Sequence, residues 1–249
     1  MHIRKTALMM AFACLPAVAG WAQDDHDHGH DHDHGGGDHP DIEVEIHEGT
    51  HIETHPEGYD LFVNHENFAF TKPTSVWRAV FPGFEGEGLG NAVTYDLISV
   101  GPFYEFDDTQ PDGSKFVAAS GEYLKIINQD VSDDIFVTGT SSTQSLLAGV
   151  GTTDSDGDLH SHPTFQLFND SETPADGSYL AEFQIASTGL ETSESFWVLF
   201  QKGLDDPIYD DHIHEAEEQF GLTVIPEPAS LALLGLGGLA LITRRRAHV

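Results

Sequence analysis

Cysteine is almost missing from this 249-residue chain: the single one, Cys14, falls in an apolar N-terminal stretch. A chain that sheds that stretch forms no disulfide and no thiolate metal site, so any metal must be held by imidazole and carboxylate. Basic residues are scarce too, with 10 Lys and Arg against 42 Asp and Glu and a formal net charge of −32. Five of those ten, Arg4, Lys5 and Arg244 to Arg246, sit near the termini. Such a surface repels phosphate backbones, which argues against nucleic acid as a partner, and it concentrates cations. No interior segment carries a long 3.6-residue apolar period, which excludes a helical bundle and the alternating helices of a TIM-barrel metallohydrolase. G-x-S-x-G is absent, and the Glu that a cupin would place a few residues after His160-x-His162 does not come until Glu172. The expectation is a protein that is not an enzyme.

The continuous apolar runs that do occur are terminal. Residues 1–22 read as a signal peptide: His2-Ile3-Arg4-Lys5 is a positive lead, 7–19 are apolar, and Gly20-Trp21-Ala22 offers small residues for cleavage. At the other end 229–242 are apolar, preceded by Pro226-Glu227-Pro228 and followed by Arg244-Arg245-Arg246. The arginines suit a cytoplasmic flank, which leaves the bulk of the chain outside. Pro-Glu-Pro, a short apolar helix and an arginine cluster over 226–246 resemble the PEP-CTERM sorting signal. That resemblance implies export through the inner membrane and recognition by exosortase-type machinery. It also implies a single-pass C-terminal transmembrane helix that is kept or removed, and a cell-surface or extracellular destination.

Between the termini the pattern changes once. Apart from Gln23 and Pro40, residues 23–41 are His, Asp and Gly, so they bury no core and are expected to form a disordered tail. From 42 onward short alternating segments follow one another, at 42–46, 59–63, 75–81, 92–100, 115–119, 123–128, 135–138, 164–168, 179–185 and 196–201. Turn signals such as Pro56-Glu57-Gly58 and Pro111-Asp112-Gly113 separate them. The expected fold is all-β: a β-sandwich made of one large or two small sub-domains, 42–140 and 141–225, divided near the Ser/Thr/Gly-rich 138–156. A short helix is expected near 214–219.

Histidine is the main chemical signal, with 16 in the chain. His26, His28, His30, His32 and His34 alternate with Asp or Gly in the tail. Neutral imidazole binds zinc, copper or nickel, and interleaved carboxylates offset the ion's charge. A chain of this kind wraps several ions with interchangeable ligand sets. His160-Ser161-His162 stands just before a strand, and residues i and i+2 of an extended segment share a face, so both rings reach one ion. Zinc needs a third ligand and usually a fourth, and the candidates are His65, His212 and His214. Asp154, Asp156 and Asp158 alternate in an acidic turn with the oxygen spacing of a calcium loop, though Gly157 is out of step with an EF-hand. The histidines His47, His51 and His55 lie at i, i+4 and i+8, but Gly49, Thr50 and Thr54 disfavour a helix there, so a ligand-rich loop is expected.

With these residues the chain resembles the zinc-regulator-repressed PEP-CTERM proteins. Its later half is similar to surface-anchored β repeat domains associated with metal-uptake transporters. The matching residues run from His160-Ser161-His162-Pro163-Thr164-Phe165 through Pro174-Ala175-Asp176-Gly177 to Phe183, with echoes in Phe81-Pro82-Gly83-Phe84. The resemblance implies zinc capture or storage at the surface when metal is scarce, with a metal importer as partner. The competing expectation is a structural or adhesive matrix protein in which the histidines hold nothing.

Overall fold

The computed structural model describes residues 41–55, 61–64, 67–72, 76–141, 144–170 and 173–223, all within the compact unit Asp38–Val249. The expected signal peptide, the tail histidines His26, His28, His30, His32 and His34, His65 and the C-terminal helix at 226–246 lie outside the described residues. Among the described residues the chain is mostly strand, arranged in three sheets. The first has the order β12 (Leu159–Ser161), β5 (Phe84–Gly86), β1 (Ile42–His47), β2 (His51–His55). The second runs β10 (Asp134–Thr138), β9 (Glu122–Ile127), β13 (Thr164–Asn169), β4 (Trp77–Ala79). The third runs β11 (Ser145–Thr152), β6 (Thr94–Ser99), β14 (Gly177–Ser187), β15 (Phe196–Lys202), β3 (Leu61–Val63). Two short strands, β7 (Tyr104–Phe106) and β8 (Phe116–Ala118), extend it, with β7 paired to β14.

The alternation that marks these strands in the sequence also packs them. On β13, Phe165 and Leu167 point inward and pair in register with Ile126 and Leu124 of β9, all four buried. Across the core, Phe165 meets Phe200 of β15 at 4.9 Å between ring centroids and Phe183 of β14 at 6.2 Å. The first sheet adds Ile42, Val44, Phe84 and Leu159 to the same apolar cluster. Burying this much aromatic and aliphatic surface is the main favourable term in the fold.

Strands from both expected sub-domains share sheets: β9 pairs with β13, and β6 pairs with both β11 and β14. Within 138–156 the chain passes from the second sheet to the third, and β11 lies inside that stretch as a strand with a bulge between Leu147 and Gly151. That bulge breaks the period-two pattern, which explains why the segment reads as a linker. Strands β5, β7 and β12 are three residues each, too short for alternation to announce them.

The helix is longer than expected. Helix α1 spans Asp206–Phe220, with Pro207 near its start and Gly221 at φ 70° closing it through a hydrogen bond to the Glu217 carbonyl. Tyr209 and Ala216 pack on Leu61, Phe116, Leu180 and Leu199, so α1 covers the outer face of the third sheet. That cover explains why residues 179–181 of β14 and 198–200 of β15 are buried on both faces and break the alternation there.

One imidazole is part of this packing. His212 on α1 is 8 % exposed, its ring lies on Phe106 at 3.5 Å between centroids, and its Nδ1 is 2.8 Å from Ser178 Oγ. Burial pushes its pKa from the usual 6.5 down to about 4, against the opposing pull of Asp211, Asp108 and Glu215 and with the help of Lys115. Between those two values the unfolded chain binds a proton that the folded chain refuses. Stability is therefore complete above pH 6.5 and falls as pH drops through about 4, by roughly 3 kcal/mol in all. In urea unfolding, His212→Gln should lower stability at neutral pH yet flatten this acid limb. An unchanged pH slope in the variant would contradict the account.

Candidate metal centre

Three separate chain segments meet at one end of the first sheet. Strand β12 is antiparallel to β5 and sets His160 opposite Glu85 and Ser161 opposite Phe84. Ser161 and Phe84 are buried while His160 is exposed, so the pleat sends His160 outward. His162, two residues on, projects from the same side, and its backbone N–H donates to Gln129 Oε1 at 3.3 Å. Strand β1 runs parallel to β5 on the other side, with Ile42 beside Phe84. Its start is fixed by Gly83: Ile42 N–H donates to the Gly83 carbonyl at 2.9 Å, and Gly83 N–H donates to Asp41 Oδ1 at 2.9 Å.

These pairings bring Asp41, His160 and His162 together, with one ligand atom from each lying within 4.8 Å of the others. The His160 and His162 Nε2 atoms are 3.1 Å apart, and His162 Nε2 is 3.5 Å from Asp41 Oδ2. Donors at about 2.0–2.1 Å from one tetrahedral zinc stand about 3.3–3.4 Å from each other, so the observed separations match the edges of such a polyhedron.

The carboxylate makes the strongest statement. The Asp41 side chain is only 1 % exposed, and its Oδ2 is buried with no hydrogen-bond partner, while Oδ1 is held by Gly83. A buried carboxylate oxygen left without a donor costs free energy unless a positive charge stands beside it. Either a cation or a protonated His162 would supply that charge. The surroundings are fitted closely. A Cβ added to Gly83 would come 2.6 Å from Asp41 Oδ1 and 2.6 Å from His162 Nδ1, so the absence of a side chain there makes room for both ligands. Phe81 meets the His162 ring edge to face, at 5.3 Å and 89°, and restricts its rotation.

The remaining histidines behave differently. His212 and His214 do not join the centre: they sit on α1, where residues two apart point to nearly opposite sides. His212 faces the core, and His214 faces solvent with its Nδ1 2.8 Å from Glu217 Oε2. As candidates for the third and fourth ligands they are not brought to His160 and His162, because their segment is helical. Asp154 is committed to its own turn, its Oδ1 accepting from the backbone N–H groups of Asp156, Gly157 and Asp158 at 2.8, 3.0 and 3.1 Å. Those bonds hold its carboxyl below the usual range, with Asp158 N–H contributing most. Asp156 and Asp158 are exposed. The loop expected at 47–55 is a hairpin instead, β1 turning through Glu48, Gly49 and Thr50 into β2, with His47 opposite His51. His47-Glu48-Gly49-Thr50-His51 has the order H-E-x-x-H, but the helical face which that motif requires is not formed.

Asp41 and Gly83 escaped the sequence reading. Asp41 closes the acidic 23–41 stretch and looks like its last member. A usable signal was present, since it stands two residues before Glu43 and so belongs to the polar face of β1.

Residues 224–246 match the PEP-CTERM protein-sorting motif. The chain is therefore an exported protein sorted to the cell envelope or surface, bearing a signal that exosortase-type machinery recognises. The PEP-CTERM match covers none of the sandwich, and the likeness to zinc-repressed and metal-uptake proteins draws no support from it. No curated protein and no solved structure matches the chain. Among the described residues no helix is long and apolar enough to cross a membrane.

Two substitutions test the geometry without metal. Asp41→Asn keeps the acceptor for Gly83 N–H and removes the unpaired charge, so denaturant unfolding in chelator should show stability raised by about 1 kcal/mol. A clear loss would mean that the carboxylate is held by bonds other than these. Gly83→Ala should cost about 1–3 kcal/mol by overpacking Asp41 and His162.

Proposed function

We propose that this exported protein binds divalent cations at its surface, zinc first among them, for capture or storage when metal is scarce. The observation that carries the reading is the meeting of the His160 and His162 imidazoles with a buried carboxylate oxygen that has no hydrogen-bond partner. Two nitrogens and one oxygen at tetrahedral spacing suit zinc, and copper or nickel would also bind such a set. His160 is exposed, so an ion reaches the centre from solvent and leaves by the same path. Three protein ligands leave a fourth position for water or for a donor from a partner such as a metal importer, which would take the ion by ligand exchange. The excess of acidic residues raises the local cation concentration and speeds capture. The His/Asp-rich 23–40 stretch adds weaker, interchangeable sites in this reading. The function is binding rather than catalysis.

Calorimetric zinc titration of the full-length chain tests it. His160→Ala/His162→Ala should abolish the tightest component and leave weaker ones, and Asp41→Asn should weaken the tightest at least tenfold. If wild type and the double variant bind zinc identically, the centre is not a metal site, and the structural or adhesive role becomes the better reading.

A further inference from the structure

The outward face of the first sheet continues the chemistry of the centre along β1 and β2. Alternation sends Ile42, Val44 and Ile52 into the core, so Glu43, Glu45 and His47 of β1 and His51 and Glu53 of β2 occupy the other face. Register then sets Glu45 opposite Glu53 and His47 opposite His51. Like charges facing each other across a sheet are unfavourable, and a bound cation offsets that repulsion.

At the hairpin end the arrangement becomes a ligand set. Directly opposed residues on an antiparallel pair have Cβ atoms about 4.5–5.5 Å apart, which is close enough for the His47 and His51 rings to be turned towards one ion. Each ring has a carboxylate beside its Nδ1: Glu53 Oε1 is 3.5 Å from His47 Nδ1, and Glu191 Oε2 is 3.7 Å from His51 Nδ1. These are ion-pair distances rather than hydrogen bonds, and they place a carboxylate on the Nδ1 side of each ring, where a small rotation would let it act as the outer-shell partner of a metal-bound histidine. Glu191 is itself fixed, because its N–H donates to the Thr50 carbonyl at 2.7 Å and its carbonyl accepts from Ile52 N–H at 3.2 Å. His47 is four residues from Glu43, about 14 Å along the strand at about 3.4 Å per residue, and Glu43 is the β1 residue in line with Glu85 and His160. The two positions are therefore separate.

We infer that His47 and His51, oriented by Glu53 and Glu191, form a second site for a borderline divalent cation at the end of the β1–β2 hairpin. It closes the hairpin across its open face and binds independently of the Asp41 centre.

Zinc-dependent unfolding of the full-length chain isolates it. A cation held by two strands binds the folded state alone and raises the melting temperature, whereas ligands in a segment that is equally available in both states add nothing. The metal-induced rise in Tm should shrink in His47→Ala/His51→Ala and also in His160→Ala/His162→Ala, and vanish when all four are replaced. Glu53→Gln keeps both rings and should raise the Kd of the hairpin site about 10-fold or more. Circular dichroism in chelator checks that each variant folds, and for any that does not, imidazole 15N shifts of wild type with zinc give the same answer through the Nε2 signals of His47 and His51. A full Tm rise in the hairpin variant, or unshifted signals, would overturn the inference. Loss of the rise in the hairpin variant alone would sink the Asp41 centre and leave this site standing.

Discussion

Gly83 makes two backbone hydrogen bonds on which the rest of the candidate site depends. Its carbonyl accepts from Ile42 N–H and its N–H donates to Asp41 Oδ1, which ties the start of β1 to the segment leading into β5. Once β1 lies against β5, the pairing of β5 with β12 delivers His160 and His162 to the same corner. The bonds also bury the Asp41 carboxylate with one oxygen satisfied and the other facing the two rings. A buried half-satisfied charge is an unstable arrangement by itself, and it becomes favourable when positive charge arrives. The corner is thus built at a cost to the fold wherever no positive charge stands beside Asp41.

The polar outer surface that carries the candidate site and the core are two consequences of one pattern. Strands β1, β5 and β12 each send apolar residues inward, Ile42 and Val44, Phe84, and Leu159, and the intervening positions can only point out. Those positions hold Glu43, Glu85 and His160. A shift of register by one residue would bury the charged set and expose the apolar one, so the hydrophobic pattern that fixes the register also fixes where ligands stand.

The two His-x-His pairs show how far spacing alone can mislead. His160 and His162 are extended and share a face; His212 and His214 are helical and point apart. The second pair is split between a core role, with His212 stacked on Phe106, and a solvent role for His214. Secondary structure, not residue type, decides which pair can grip an ion. The same holds for His47 and His51: four residues apart they suggest a helix face, yet the hairpin brings them opposite each other instead.

Much was legible in the residues themselves. Alternation announced the longer strands and the all-β class, the shortage of thiols restricted any metal site to imidazole and carboxylate, and the Pro-Glu-Pro, apolar and arginine order at 226–246 marked export. These are local properties, readable wherever a few neighbouring residues carry the signal. The short strands β5 and β12, the shared sheets of the two halves, the length of α1 and the recruitment of Asp41 were settled only by tertiary structure. Each depends on partners far along the chain: Asp41 and His160 are 119 positions apart in the numbering and meet only because β5 hydrogen-bonds to a strand on either side. Long-range pairing leaves no local periodicity, which is why the place of Asp41 beside the two histidines had to be found in three dimensions.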